Sequence, residues 1–305
     1  MHVAITGASG FIGSALTQHL RTHGHSVTRY VRRTAAADDE ASWDPAAGTI
    51  DAAPLARADA VVHLAGEGIA ERRWTPAQKQ RILGSRVQGT RLVAETIARL
   101  DEGPGVLVSA SGIDYYGDRG DEVLTEDSGP GTRGFLPEVV IAWEAAADPA
   151  RAAGIRVVHL RTGMVLSPDG GALPRLLGLF KLGLGGRLGS GRQYMPWISL
   201  DDEVGLVMHA LATAELAGPV NAVSPTPVTN AEFTRTLARV LRRPAILPVP
   251  KLGPSVLLGR ELATELLYAS KRALPERALD SGYAFRHEHL ETCLRELLAP
   301  QTAAT

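Results

Sequence analysis

Three glycines near the start of the chain, Gly7, Gly10 and Gly13, have the spacing of a phosphate-binding turn. They follow an apolar run, residues 2–5, and precede an amphipathic helical pattern. Gly7 permits a sharp turn off a strand, Gly10 lets the backbone approach a pyrophosphate, and Gly13 allows close packing of helix on sheet. The first turn of the helix would then offer backbone N–H groups to phosphate oxygens.

The residues that follow complete a βαβ unit around this turn. The helix is predicted from Ala15 to about Thr22, with Gly24 as its stop, and a second strand from Ser26 to Val31. An ordinary tight turn would also use glycine. Because strand, helix and second strand all fit within one βαβ length, the pattern favours a dinucleotide-binding site over that alternative.

The end of the second strand carries two arginines, Arg32 and Arg33, and no carboxylate. A carboxylate at this point would accept hydrogen bonds from the adenosine ribose of NAD and would repel a 2′-phosphate. Guanidinium groups instead match the geometry of a phosphate, so the sequence predicts NADP, with Arg32 as the stronger candidate. Solvated arginines at a strand end are the alternative.

The motif Thr-Gly-x-x-Gly-x-x-Gly resembles the short-chain dehydrogenase/reductase superfamily. Within it, Gly10-Phe11-Ile12-Gly13 resembles the extended, sugar-nucleotide-epimerase branch, which places Phe11 and Ile12 in the cofactor turn. The resemblance implies that the cofactor also runs past the end of the predicted strand Ala60–Gly66, beside His63, Leu64, Ala65, Gly66 and Glu67. Ser109 joins the site because ligands collect at the carboxyl ends of parallel strands. For His63 alone, a histidine satisfied in the core explains the position equally well.

The strand Gly105–Ala110 leads into the segment where related enzymes place their chemistry. The resemblance implies that Ser111 polarises a carbonyl group and that Tyr116 is a weak candidate for the proton donor. In catalytically competent relatives a Lys four residues after a second tyrosine lowers its pKa. Here no Tyr-x-x-x-Lys is present, and Leu136 and Val140 stand at the two positions.

Further motifs narrow the resemblance to one family across nearly the whole chain. They are Arg73-Trp74-Thr75-Pro76, Ser85-Arg86, Trp143-Glu144, Gly189-Ser190-Gly191 with Pro196-Trp197-Ile198, and Pro275-Glu276-Arg277-Ala278-Leu279. Together they are similar to the atypical reductases called epimerase family proteins, which end in a domain of unknown function. Two hypotheses follow: an NADP(H)-dependent reductase or epimerase-like oxidoreductase, and a non-catalytic NADP-binding sensor or scaffold.

The predicted fold is α/β, a doubly wound parallel-sheet Rossmann domain with a small, mostly helical C-terminal lobe. The Rossmann domain covers residues 1–166 and is completed by a returning segment at about 194–228. Residues 167–193 and 229–305 form the smaller, substrate-side lobe, with a proline-rich linker from Pro244 to Pro254. The paired acids Asp201 and Asp202 are explained by helix capping.

Composition limits the partners of the chain. Its 305 residues carry 32 basic and 33 acidic side chains with no block of either sign, so we expect a small-molecule substrate and neither nucleic acid nor membrane. No segment reads as a signal or membrane span, which predicts a cytoplasmic protein, and no metal site is expected. The one cysteine, Cys293, is interpreted as a packing residue. Thr75-Pro76 predicts the start of a long helix, with Thr75 as its N-cap and Pro76 at the first helical position. The resemblance implies that a homodimer could form through this helix and the one that contains Trp143.

Overall fold

The computed structural model describes residues 1–245 and 248–299. Its strands are β1 (His2–Thr6), β2 (Ser26–Val31), β3 (Glu40–Asp44), β4 (Thr49–Ile50), β5 (Ala60–His63), β6 (Val106–Gly112), β7 (Val123–Leu124), β8 (Arg156–Thr162), β9 (Met164–Ser167), β10 (Gly170–Gly171), β11 (Tyr194–Met195), β12 (Trp197–Ser199), β13 (Gly218–Ala222), β14 (Val228–Thr229) and β15 (Arg272–Ala273).

The helices of the same residues surround these strands. They are α1 (Phe11–Thr22), α2 (Ala53–Ala56), α3 (Pro76–Ala98), α4 (Phe135–Ala145), α5 (Asp148–Ala152), α6 (Leu173–Lys181), α7 (Leu200–Ala212), α8 (Asn230–Leu241), α9 (Leu252–Leu258), α10 (Arg260–Ala263), α11 (Glu276–Asp280) and α12 (Leu290–Leu297), with a 3₁₀ turn at Ile113–Tyr116 and a π-helical turn at Thr264–Tyr268. No helix in the described ranges is long and apolar enough to cross a bilayer.

Eight strands form the central sheet in the order β13-β8-β6-β5-β1-β2-β3-β4. All neighbouring pairs are parallel except β3 and β4, which are antiparallel. The chain fills the sheet outward from β1 in both directions, and the direction changes between β1 and β5. The doubly wound prediction is therefore confirmed, and a crevice opens between the carboxyl ends of these two strands.

The central strands are apolar because helices cover both faces of the sheet. On one face α1 and α7 pack against a core that includes Val3, Ile5 and Val108. On the other face α3 and α5 cover Ala4, Val61 and Leu107. Successive side chains of each strand therefore point alternately into these two apolar layers.

Two local expectations for the helices are met and one is corrected. Thr75 caps α3, its hydroxyl accepting from the Gln78 N–H at 3.1 Å, with Pro76 in the first turn. Gly24, at φ 76°, follows the end of α1 as predicted. However, α1 begins at Phe11 and not at Ala15, because the glycine turn is so tight that Gly13 already lies inside the helix.

The smaller lobe has its own apolar core, built mainly from α6, α8 and α12. Cys293 is fully buried in it, and burial raises the pKa of its thiol to about 12, as suits a packing residue. The predicted proline-rich linker contains the start of α9, while its residues 246 and 247 lie outside the described residues, as do residues 300–305 of the predicted lobe. The domain boundaries proposed from the sequence stay a prediction.

The paired acids at the start of α7 do more than cap a helix. The N-cap is Ser199, whose hydroxyl accepts from the Asp202 N–H at 3.1 Å and donates to the Asp202 carboxylate at 2.7 Å. The buried carboxylate of Asp202 also accepts from the backbone N–H groups of Arg286 and His287, at 2.7 and 3.0 Å. Asp202 therefore ties the C-terminal part of the chain to the Rossmann-type sheet.

Candidate functional site

A cavity of about 590 Å³ lies at the crevice between β1 and β5. That volume is in the range of small-molecule and cofactor pockets. Its lining comes from the glycine turn, the ends of β2 and β5, the start of β3 and one residue of α3. The lining residues are Gly7, Ala8, Ser9, Gly10, Arg29, Tyr30, Val31, Arg32, Arg33, Glu40, Trp43, Pro45, Leu64, Ala65, Gly66, Glu67 and Ser85.

The glycine turn fits a phosphate group because it leaves no room for side chains. Gly7 has φ 71°, and a Cβ atom placed on it would lie 2.8 Å from the backbone nitrogen of Ala65. The N–H of Gly10 donates to the Gly7 carbonyl at 2.9 Å, which closes the turn at the start of α1. The backbone is thus exposed to the cavity where a pyrophosphate would meet the N-terminal end of a helix.

The two arginines predicted to select NADP line the cavity but differ in their partners. Arg33 donates to both carboxylate oxygens of Glu40, at 2.8 and 2.7 Å, and Glu40 also lies 3.2 Å from Arg29. The hydrogen bond from Arg33 holds the pKa of Glu40 below its usual range, with a further contribution from the Ala36 N–H. The side chain of Arg32 is exposed and has no acceptor or ion-pair partner among residues 1–245 and 248–299.

This difference decides which charge the cavity presents. The carboxylate of Glu40 is paired through both oxygens with Arg33 and lies 3.2 Å from Arg29, which also donates to Asp39, so Glu40 does not present an uncompensated negative charge to the ribose end of the cavity. Arg32 is left with five N–H donors beside that end. A doubly charged 2′-phosphate fits this set of groups, and Arg32 would hold it.

Three residues of the predicted cofactor turn do not line the cavity. Phe11 faces the other way, against the β9–β10 hairpin, since a Cβ on Gly170 would lie 2.4 Å from its ring. Ile12 is half-buried in the first turn of α1. Gly13 lies under the turn, where a Cβ would come within 2.2 Å of the Gly7 carbonyl oxygen. Gly13 therefore sets the position of the helix and offers no surface to the cavity.

Two further predicted cofactor residues, His63 and Ser109, are core residues in the structure. Both side chains are fully buried in adjacent strands, β5 and β6, and their Cα atoms are register partners. His63 is hydrogen-bonded through Nδ1 to the Thr6 hydroxyl at 2.6 Å, and burial lowers its pKa to about 4. Side chains alternate between the two faces along a strand, so His63 and Ser109 lie on the same face as Val61 and Leu107, which α3 and α5 cover.

Sequence reasoning missed several residues of the lining. Ser85 holds the cavity edge, because its hydroxyl accepts from the Glu67 N–H at 3.0 Å. Arg29, Glu40 and Pro45 were also missed, since only the pairing of β2 with β3 brings them to the cavity. Trp43 also lines the cavity, and its ring packs at right angles to that of His63.

The predicted catalytic serine is engaged with two charged side chains. The Ser111 hydroxyl donates to Glu144 Oε1 at 2.6 Å, and Arg161 donates to both oxygens of the same carboxylate, at 2.8 and 2.9 Å. Burial opposes ionisation of Glu144, but the hydrogen bonds from Arg161 outweigh it and keep the pKa of the carboxyl below its usual value. Ser111 is therefore held inside the protein by an ion pair.

Tyr116 lies in the same buried network and not at an open surface. Its side chain is fully buried, and its hydroxyl accepts from Arg161 at 3.0 Å. Its single O–H proton has two acceptors in reach, the Asn221 side-chain oxygen at 2.8 Å and the Thr125 carbonyl at 2.9 Å. Burial raises the pKa of Tyr116, against the influence of Arg161. Tyr116 is therefore a buried, hydrogen-bonded residue, which favours packing in this loop over the weak proton-donor role implied by the resemblance.

The fold and the cavity define an epimerase-like, NAD(P)-binding protein of the short-chain dehydrogenase/reductase type. Residues 3–223 match the NAD dependent epimerase/dehydratase family, and residues 249–297 match a domain of unknown function, DUF1731. The chain belongs to the NAD dependent epimerase/dehydratase family. The resemblance seen in the sequence is thereby confirmed.

Known proteins resemble this chain over nearly its whole length. The epimerase family protein Mb2239 of Mycobacterium bovis is 46% identical over 292 residues, 96% of each chain. Human epimerase family protein SDR39U1 is 39% identical over 303 residues, which cover 98% of this chain and 100% of the human one. A crystal structure of isoform 2 of the human protein with NADPH has a TM-score of 0.87 at 37% identity, over 97% of this chain and 99% of that chain.

Proposed function

We propose that this protein is an NADP(H)-dependent oxidoreductase, a reductase or epimerase-like enzyme that acts on the carbonyl group of a small molecule. The observation that carries the proposal is the position of Arg32 at the cavity beside the glycine turn, with the neighbouring carboxylate of Glu40 already paired. The human relative whose crystal structure contains NADPH supports the same cofactor. When bound, a nicotinamide dinucleotide would supply hydride chemistry.

Different residues of this chain would bind different parts of the dinucleotide. Backbone N–H groups at the start of α1 would meet the pyrophosphate, with Gly7 and Gly10 leaving room for it. Arg32 would hold the 2′-phosphate, and Trp43 would border the adenine. Leu64, Ala65 and Gly66 line the cavity between these ends.

The proposal is tested by titrating the full chain with NADPH and with NADH, following intrinsic fluorescence. Trp43 lines the cavity, so its emission is expected to report binding directly. Tight binding of NADPH and weaker binding of NADH would support the cofactor assignment. The second measurement is NADPH oxidation across a panel of ketones, aldehydes and nucleotide sugars. Binding of neither dinucleotide would overturn the proposal, and binding without any oxidation would favour the alternative below.

A non-catalytic NADP-binding sensor or scaffold is the second candidate, and one specific observation favours it. Ser111, which matches the catalytic serine of relatives, is buried and donates to Glu144, and Tyr116, the weak candidate for the proton donor, is buried and accepts from Arg161. A protein of this kind would bind NADPH without consuming it. Turnover of any compound in the panel would contradict this candidate if substitution of Ser111 and Tyr116 abolished the turnover while NADPH affinity stayed unchanged.

We also propose a homodimer formed through α3 and α4. The two helices pack side by side, joined by a hydrogen bond of 2.9 Å from the Trp143 indole to the Thr90 hydroxyl. Each carries a large apolar side chain that is exposed, Leu83 on α3 and Ile141 on α4. Sedimentation equilibrium of the full chain and of Ile141→Glu tests this, since a dimer that buries these side chains should dissociate in the variant.

A further inference from the structure

A second cavity, of about 250 Å³, lies where three distant parts of the chain meet. The segment after β6 contributes Asp114, Gly117 and Asp118, the start of α4 contributes Arg133, Gly134, Leu136 and Pro137, and the C-terminal region contributes Thr264, Glu265, Ala269 and Lys271. Leu136 is the residue that stands where relatives have the catalytic tyrosine. A lysine from the C-terminal region therefore lines the cavity at the position where the Tyr-x-x-x-Lys pair is missing.

Several hydrogen bonds fix the C-terminal segment against the rest of this cavity. The carboxylate of Glu265 accepts from the backbone N–H groups of Phe135 and Leu136, at 2.9 and 2.8 Å, and so caps the start of α4. The Ser270 N–H donates to Asp118 at 3.0 Å. Just beyond, β15 pairs with β7 in parallel. These contacts on both sides of Lys271 determine where its side chain can reach.

Lys271 is a buried ammonium group with spare hydrogen-bonding capacity. The residue is only 5% exposed, and its Nζ lies 2.8 Å from Asp114 Oδ1. Its second neighbour is the Glu265 carbonyl oxygen, at the long distance of 3.5 Å. An ammonium group has three N–H donors, so within residues 1–245 and 248–299 one donor has no protein acceptor. Because an unsatisfied buried donor is costly, this geometry points to an oxygen supplied by a ligand in the cavity.

Arg86 connects this cavity to the cofactor cavity. Its guanidinium donates to the Glu67 carbonyl at 2.9 Å and lies against Gly66, both of which line the cofactor cavity. Burial lowers the pKa of Arg86 to about 10, and the charges of Glu67 and Asp114 oppose that effect. Arg86 therefore contacts the lining of the cofactor cavity and feels the charge of Asp114, which lines the second cavity.

We propose that Lys271, oriented by Asp114, is the hydrogen-bond and proton donor to the carbonyl oxygen of a substrate held in this cavity. The proposal rests on the proposed oxidoreductase function. The carbonyl carbon receives a hydride from a reduced nicotinamide dinucleotide, its π electron pair moves to the oxygen, and the oxygen takes a proton from Lys271 Nζ. The products are an alcohol and the oxidised dinucleotide, and water returns the proton to Nζ.

Donation by an ammonium group explains how the chain could work without the usual tyrosine. An ammonium group paired with a carboxylate already carries the proton that it donates, so this donor needs no second group to activate it. An alkoxide is far more basic than an amine, so the transfer runs downhill. Asp114 is a positioning residue in this scheme because its carboxylate orients the Lys271 ammonium group and transfers no proton itself.

The geometry makes a spectroscopic prediction that does not depend on turnover. A carbonyl carbon in reach of the hydride donor, with its oxygen hydrogen-bonded to Nζ, places the nicotinamide ring within about 6 Å of Nζ. The chain has four lysines, Lys79, Lys181, Lys251 and Lys271. With lysine labelled by ¹³C at Cε, four signals are expected, and Lys→Arg variants of the first three assign the fourth by elimination.

The full labelled chain is titrated with NADPH and, separately, with adenosine 2′,5′-bisphosphate, which lacks the nicotinamide. We expect NADPH to shift the Lys271 signal, the bisphosphate to leave it in place, and neither to move the signals of Lys181 or Lys251. If fluorescence shows that neither nucleotide binds, the proposed function fails and this proposal with it. If NADPH binds and the Lys271 signal does not move, the proposal alone is overturned.

Variants test the proton-donor role separately from proximity. Asp114→Asn keeps the shape of the side chain and removes its charge, so the Lys271 signal should change in the ligand-free chain and respond less to NADPH. With the most rapidly reduced compound of the carbonyl panel, Lys271→Met should lower kcat at least a hundredfold at unchanged NADPH affinity, and Lys271→Arg should retain part of the rate. Lys181→Met is the matched control. Equal rates in Lys271→Met and Lys181→Met, or no reduction of any compound, would overturn the proposal.

Discussion

The hydroxyl of Ser111 donates a 2.6 Å hydrogen bond to Oε1 of Glu144, which is on a helix 33 residues further along the chain. The same carboxylate is held by two N–H groups of Arg161, and the Arg161 side chain is only 3% exposed. Through these hydrogen bonds the Ser111 hydroxyl helps to hold α4 against β6 and β8. Loss of this hydroxyl should lower the free energy of unfolding and leave cofactor affinity unchanged.

Ser111→Ala is therefore expected to lower the free energy of unfolding by about 1–3 kcal/mol, the usual effect of removing a buried hydrogen bond to a charged group. NADPH affinity should be unchanged, because Ser111 does not line the cofactor cavity. Urea unfolding and the fluorescence titration measure the two quantities. Ser26→Ala, at an exposed position, is the control and should stay within about 0.5 kcal/mol of the parent chain. Loss of NADPH binding in Ser111→Ala would contradict this assignment.

Arg32→Ala should weaken NADPH binding by roughly 1.5–3 kcal/mol, or about 10–100-fold in Kd, because it removes a charge-assisted contact to the 2′-phosphate. NADH has no such phosphate, so its affinity should change little. Fluorescence titration of both dinucleotides at one fixed salt concentration checks the difference. Arg57→Ala removes an exposed arginine away from the cavity and controls for the change in net charge. Equal losses for NADPH and NADH in Arg32→Ala would count against a 2′-phosphate site.

The features that the sequence predicted well are short-range. The glycine spacing, the turn at Gly24 and the cap at Thr75 each depend on a few neighbouring residues, and the structure forms them within a few positions of the prediction. The parallel sheet followed from the apolar strands, whose composition requires cover on both faces. Local chemistry and strand composition were sufficient for these elements.

The features that could not be predicted depend on pairs of residues far apart in the chain. The side chain of Tyr116 is satisfied by Asn221, and the carboxylate of Asp114 is paired with Lys271, over more than 100 residues in each case. No periodicity or spacing encodes such pairs, because Asn221 reaches Tyr116 only once β13 has joined the sheet, and Lys271 reaches Asp114 only once the C-terminal segment has folded back. The resemblance to relatives therefore pointed to Ser111 and Tyr116 but could not show which residues their side chains contact.

The two glycines inside α3 should respond differently to alanine. A Cβ on Gly84 would meet only the flexible side chain of Gln88, at 3.8 Å, whereas one on Gly89 would lie 3.4–3.6 Å from the rings of His63 and Trp43. Gly84→Ala should therefore raise the free energy of unfolding by up to about 1 kcal/mol, the difference in helix propensity. Gly89→Ala should raise it by more, because its Cβ would add ordinary van der Waals contacts with two buried rings to the gain in helix propensity.

Urea unfolding of Gly84→Ala and Gly89→Ala against the parent chain measures these effects. NADPH titration of Gly89→Ala is informative as well, because a displaced Trp43 would alter the lining of the cofactor cavity. If Gly89→Ala were less stable than the parent chain, the space between α3 and the His63 ring would be contradicted.

Glu203 should make the stability of the protein depend on pH. Its side chain is buried, one oxygen accepts from the Thr162 hydroxyl at 2.8 Å, and the other has no partner among the described residues. Burial raises the pKa of its carboxyl to about 7, against the lowering effect of Thr162. Above pH 4.5 the unfolded chain loses this proton while the folded chain keeps it up to about pH 7. The contribution of Glu203 to stability therefore falls as pH rises through this window, and the full penalty is present above pH 7.

Glu203→Gln, which cannot ionise, should be more stable than the parent chain at pH 8 by up to about 3 kcal/mol and close to it at pH 5. Urea unfolding of both proteins from pH 5 to pH 8 measures that difference. His63 and His159, whose pKa values burial lowers to about 4, reduce stability as pH falls below about 6.5, but they do so in both proteins and cancel. Glu102→Gln, at an exposed position, should show no such trend. A difference between Glu203→Gln and the parent that stays constant with pH would mean that Glu203 is ionised throughout, with its unpaired oxygen reaching water.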